Sequence, residues 1–131
     1  MGKNMFAGGE KFWPEEAPFH TPVFVLTHGV REPWERPGGT KFFFVNDGIE
    51  SALRQAKEVA GDRDIRIAGG ANIIQQFLYA GMIDEFTIHY SPVFFGEGLP
   101  LFAGIGNNIK MKIKKTVASK EVTHITYEVE K

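Results

Sequence analysis

An α/β fold follows from three features of the chain. Short apolar runs end in glycine or polar turns, helical patterns lie between them, and after Pro92 the texture changes to period-two alternation. The first two features predict strands joined by helical crossovers, hence a largely parallel sheet in the first part of the chain. The third predicts a closing antiparallel hairpin. With 131 residues, 43% hydrophobic and 24% charged, the chain fits one soluble domain, residues 1–131, with room for a real core.

The segment from Met1 to Pro22 holds Gly2, Gly8, Gly9, Phe12 and Trp13 without a sustained period, and reads as an irregular approach with at most a helical turn around Asn4 to Gly8. Val23-Phe24-Val25-Leu26 is apolar on both faces, as in a strand covered on two sides, and Thr27 and His28 stand at its C-terminal end. Gly29 to Thr40 reads as a loop broken by Pro33, Pro37, Gly38 and Gly39, with Trp34 exposed in it; Phe42 to Val45 is the second strand. Asp47 then predicts an N-cap, with Glu50 as its capping-box partner, for a helix carrying Ile49, Ala52, Leu53, Ala56 and Val59 on one face and stopped by Gly61.

Ile65 to Ala68 reads as the third strand, running through Gly69-Gly70 into a helix with Ile73, Ile74, Phe77 and Leu78 on its apolar face and Gly81 at its end. Phe86 to Tyr90 is the fourth, placing His89 and Tyr90 on opposite faces; Tyr90 is the better ligand contact of the two. Val93 to Phe102 is an apolar loop punctuated by glycine. Ile109 to Val117 and Val122 to Val129 alternate, predicting a hairpin that turns near Ser119 and Lys120 and buries one face, Met111 and Ile113 among it.

A net charge of −1 and the absence of any basic stretch exclude a nucleic-acid footprint. No cysteine is present, so there is no disulfide or thiolate chemistry, in keeping with a cytoplasmic protein. No apolar run is long enough for a bilayer, so no membrane partner is expected. His20, His28, His89 and His124 show no ligand spacing along the chain, and no metal site is expected. Asp84-Glu85 reads as a solvated corner, and Ser51 and Ser91 lie in no nucleophile turn, so no catalytic residue is identified.

The glycine turn at Gly69-Gly70 carries the one chemical signal. A helix N-terminus leaves N–H groups unpaired and adds partial positive charge, glycines let a ligand approach the backbone, and Asn72 can cap or donate to a phosphate oxygen. The same turn serves equally as a tight packing turn, and both readings stay open at this point.

Taken together, Gly69-Gly70-Ala71, the Val25-Leu26-Thr27-His28 strand end and Pro92-Val93-Phe94-Phe95-Gly96-Glu97-Gly98 resemble the dihydrofolate reductase-like superfamily, and within it the C-terminal reductase domain of the bifunctional riboflavin-biosynthesis deaminase/reductase and its stand-alone relatives. The resemblance implies a three-layer sandwich, a mostly parallel central sheet flanked by helices and ending in an antiparallel hairpin. It implies NADPH as cofactor and a small-molecule substrate, a pteridine or a ribosylaminopyrimidine. Gly69, Gly70, Ala71, Asn72 and Ile73 would face the pyrophosphate; Thr27 and His28, helped by Arg31, the adenosine ribose and its 2′-phosphate. Met1-Gly2-Lys3-Asn4-Met5 resembles the family's Met-Gly-Arg-x-Thr segment, so Gly2, Lys3 and Asn4 join the cofactor-binding set, with Lys3 in place of the planar arginine and Met5 in place of a hydroxyl. Family members open with a strand, a loop and helix, and a further strand before that segment, so the resemblance implies an N-terminally truncated copy. Strand edges left open by the missing central strand imply pairing with another chain, a homo-oligomer. The alternative expectation is a non-catalytic nucleotide-binding or interaction module of the same fold.

Overall fold

The computed structural model describes residues 1–131 as two compact units, Met1–Ile74 and Gln75–Lys131. The first opens with helix α1 (Lys3–Glu10) and continues through strands β1 (Pro22–Leu26), β2 (Trp34–Arg36) and β3 (Thr40–Val45) to helix α2 (Ile49–Ala60). Helix α3 (Ala71–Tyr79) begins in this unit and ends in the second, which holds β4 (Glu85–Tyr90), β5 (Met111–Ala118) and β6 (Thr123–Val129).

In the first unit the strand order is β1-β3-β2, with β1 and β3 parallel and β2 antiparallel to β3. The core gathers Met1, Phe6, Ala17, Val25 and Phe42, with Trp13, Phe19, Trp34 and Phe44 packed against it. Phe42 lies stacked against Trp13 and Trp34, ring centroids 5.5 Å away in both cases, and Phe6 meets its edge at 5.1 Å. These aromatic contacts explain α1, which extends the helical turn expected around Asn4 to Gly8, while residues 11–21 stay irregular as expected. Gly8 and Gly9 are poor helix formers, but burying Phe6 holds the turn, and a Cβ at Gly9 would sit 2.1 Å from the Trp13 ring. Gly9 is there to admit that ring.

Strand β2 lies inside the expected Gly29–Thr40 loop. Three residues are too few to show a period, and their pairing is set by the turn, where Gly38 and Gly39 take φ of +86° and +90°. Helix α2 begins one residue later than its expected capping box. Gly48, at φ +98°, is the N-cap without a side-chain cap bond, which puts Glu50 too early to close the box with Asp47. Gly61 stops the helix as expected, its N–H donating to Lys57 O.

The mostly parallel central sheet is corrected. Ile65–Ala68 forms no strand, because a strand exists through its ladder and no neighbouring strand pairs with this segment. β4 pairs antiparallel with β6, in the order β4-β6-β5, so β1 and β3 are the only parallel pair of strands. The closing hairpin forms where expected: Ser119 and Val122 bond across the turn, the Ser119 hydroxyl donating to Val122 O and accepting from Val122 N–H. Its expected buried face does not. All eight residues of β5 are exposed, and a bulge between Ile113 and Lys115 breaks its alternation. Met111 and Ile113 lie opposite Val129 and Tyr127, whereas Val117 lies opposite His124, on the other face. No helix is long and apolar enough to cross a membrane.

Candidate cofactor site

The C-terminal end of β1 organises the site. Leu26 N–H donates to Met1 O at 2.9 Å, the Met1 ammonium donates to Phe24 O at 2.8 Å, and Gly2 makes a parallel bridge with Leu26. Met1 and Gly2 thus run beside β1, joined to it by an isolated parallel bridge and not by a strand ladder. Burial pushes the Met1 amino group below its ordinary pKa. On its far side Gly2 N–H donates to Gly69 O at 2.7 Å, tying the glycine turn to the strand end.

Two helices start at this junction. Gly2 is the N-cap of α1, whose first internal bond runs from Phe6 N–H to Gly2 O; the first in α3 runs from Ile74 N–H to Gly70 O. The N–H groups of Lys3, Asn4, Ala71 and Ile73 precede those bonds and carry the positive end of each helix dipole. Packing is close on one side and open on the other. A Cβ at Gly2 would stand 2.8 Å from Ile73 Cγ1 and 3.7 Å from Gly70 N, while a Cβ at Gly70 would meet no atom within 4 Å. Gly69 takes φ +102° with Met5 Sδ nearby, and the Gly69-Gly70 peptide is cis.

The structure therefore brings Gly2, Gly69, Gly70, Ala71 and Ile73 together, with Lys3, Asn4 and Asn72 in the first turns of the two helices. Thr27 and His28 follow Leu26 directly at the same strand end. Thr27 N–H donates to Val45 O, its hydroxyl accepts from Gly29 N–H, and the His28 side chain is exposed. Arg31, expected to help at the 2′-phosphate, is engaged on its own side of the sheet. Its guanidinium pairs with Glu10 at 2.6 Å and lies over the rings of Phe6, Trp34 and Phe44, and this hydrogen bond holds the Glu10 carboxyl below its usual pKa. The part played by Met1 was invisible in sequence, since an isolated bridge has no pattern.

In the second unit Tyr90 is 50% exposed, and its interaction with Tyr127 raises the Tyr127 hydroxyl above its usual pKa. Asp84 and Glu85 are a solvated corner as expected, paired with Lys131 and Lys114. His89 and His124, 35 residues apart, face each other across β4 and β6 with Nδ1 atoms 2.6 Å apart. Spacing along the chain cannot show a pair that strand register makes.

Glycines and helix N-termini gathered at the C-terminal end of a parallel strand define an α/β domain of the kind that receives its ligand at strand ends. The chain belongs to the RibD C-terminal domain family, whose profile matches residues 10–125. Its fold is that of the RibD-like reductases, within the dihydrofolate reductase-like superfamily. A protein from Shewanella sp. PV-4 described as a riboflavin biosynthesis protein superposes with a TM-score of 0.76 at 26% identity, over 100% of this chain and 72% of that one. A pyrimidine reductase-like protein from Corynebacterium diphtheriae shares the fold, with a TM-score of 0.57 at 14% identity over 84% of this chain and 50% of that one. Two uncharacterized proteins of Bacillus subtilis (strain 168), YyaP and YwjB, are 38% and 34% identical over 85 and 84 residues, 64% of this chain in each case. The matched stretch is 45% of YyaP and 48% of YwjB, so the chain spans about half of these relatives.

Proposed function

We propose that this chain is the cofactor-binding part of an NADPH-dependent reductase that acts on a pteridine or a ribosylaminopyrimidine. The observation that carries this reading is the junction of Gly2 with Gly69 and Gly70, where two helices begin and the space over Gly70 is open. That cradle fits a pyrophosphate: backbone N–H groups supply donors, glycine supplies access, and the helix dipoles favour negative charge. Gly2, Gly69, Gly70, Ala71, Asn72 and Ile73 would hold it, with Lys3 and Asn4 beside them. Thr27 and His28 would reach the adenosine ribose and its 2′-phosphate. The cofactor, when bound, supplies the hydride; the chain supplies position and field.

Titrating the chain with NADPH and following nicotinamide fluorescence tests the reading. Saturable binding is expected, tighter for NADPH than for NADH. No binding at millimolar cofactor would remove the proposal, and equal constants would remove the 2′-phosphate role of Thr27 and His28. Binding without hydride transfer would favour the alternative, a nucleotide-binding module.

We also propose that the chain self-associates. Phe94, Phe95 and Leu99 expose 107%, 84% and 88% of their surface, and β4 and β5 each present an unpaired edge in their sheet. Light scattering across a concentration series should give a homo-oligomer; a monomer at every concentration would contradict it.

A further inference from the structure

We propose that His89 and His124 form a two-ligand site for a borderline divalent metal ion, Cu2+, Ni2+ or Zn2+. The pair sits at directly opposed positions of β4 and β6, so the backbone fixes both rings on one face of the sheet. Their Nδ1 atoms are 2.6 Å apart and the ring centroids 4.8 Å, with His89 exposed and open to solvent. Imidazole nitrogens bind zinc at about 2.0–2.1 Å, and two such ligands on a tetrahedral ion stand roughly 3.3 Å apart. Small side-chain rotations therefore convert the present contact into a chelate, and water completes the coordination.

The surroundings favour this. The next opposed pair on the same face, Thr87 and Thr126, offers hydroxyl oxygens 2.9 Å apart, and the residue opposite His124 on β5 is the uncharged Val117, with Lys115 one step away opposite Thr126. Farther along the same face the carboxylates of Glu85 and Glu128 are already paired with Lys114 and Lys112.

Proton bookkeeping is simple. In the metal-free pair one Nδ1 carries a hydrogen and donates it to the other. Chelation through both Nδ1 atoms requires that hydrogen to pass through solvent to Nε2 of its own ring, leaving two neutral Nε2–H tautomers and no net change in protonation. The ion bridges adjacent strands, so it stabilises the folded second unit.

The test uses the whole chain freed of any affinity tag, titrated with ZnCl2 or CuCl2 alone and followed by calorimetry and by 15N shifts of the histidine rings. The expected result is one ion per chain, Cu2+ held more tightly than Zn2+, with the Nδ1 signals of His89 and His124 moving together. His89→Gln and His124→Gln should each weaken binding by more than about tenfold, the least that loss of a supporting partner costs at such sites. His20→Gln should bind as the parent does. Equal binding by the parent and both sheet variants, or loss of binding in His20→Gln alone, would overturn the proposal. Unchanged far-UV spectra of the variants separate lost ligation from lost folding.

Discussion

Gly70→Val is expected to lower NADPH affinity by at least about 100-fold, close to 2.7 kcal/mol, while leaving the melting curve of the chain near that of the parent. The two halves of this expectation rest on different observations. A Cβ at Gly70 meets no protein atom within 4 Å, so the added side chain projects into open space and not into packing. That space is where a pyrophosphate must come to reach the N–H groups at the start of α3, and a branched side chain fills it. Gly70→Ala should fall between parent and valine variant. Fluorescence titration with NADPH and a circular-dichroism melt on the same samples decide the matter. Full affinity in Gly70→Val would place the phosphate elsewhere, and loss of affinity together with loss of fold would show that Gly70 serves packing. Gly2 offers no such clean test, because a methyl there must displace Ile73.

The contrast between these glycines shows how far sequence carries. The strand end at Leu26, the second strand, both long helices and their glycine stops were legible, because each has a period or a terminator that acts locally. What was not legible depends on partners distant in sequence. Ile65–Ala68 has the composition of a strand, yet no ladder reaches it. α1 contains two glycines and forms because Phe6 and Trp13 need it, a tertiary demand that overrides propensity. At the site, Gly69 and Gly70 could be picked from a local motif, whereas the bond from Gly2 to Gly69 joins residues 67 positions apart. Arg31 was readable as a cation but not as one already held by Glu10 and three rings. The His89–His124 pair belongs to the same group, since register alone creates it.

Phe42→Ala should destabilise the first unit by about 3–5 kcal/mol, the cost of removing a large aromatic from a closed core, against a total stability on the order of 5–15 kcal/mol. Phe42 is fully buried on β3, the central strand of its sheet, and its ring touches Phe6, Trp13, Phe19 and Trp34. Truncation leaves a void bounded by rigid rings from four segments, which cannot close over it without moving β1 and α1. The readout is specific, because the two tryptophans of the chain, Trp13 and Trp34, both stack on Phe42. Urea unfolding followed by tryptophan fluorescence should shift its midpoint strongly downward. Ile113→Ala, at a position 63% exposed on β5, should move it by no more than about 0.5 kcal/mol equivalent. Met1 belongs to the same core cluster as Phe42, and its carbonyl receives the Leu26 bond that holds Gly2 beside Gly69. Loss of the cluster should therefore weaken NADPH binding as well, in parallel with unfolding and relieved by cold or by cofactor excess, unlike the loss in Gly70→Val. A shift below about 1 kcal/mol in Phe42→Ala would mean that the aromatic cluster is not the source of stability in this unit.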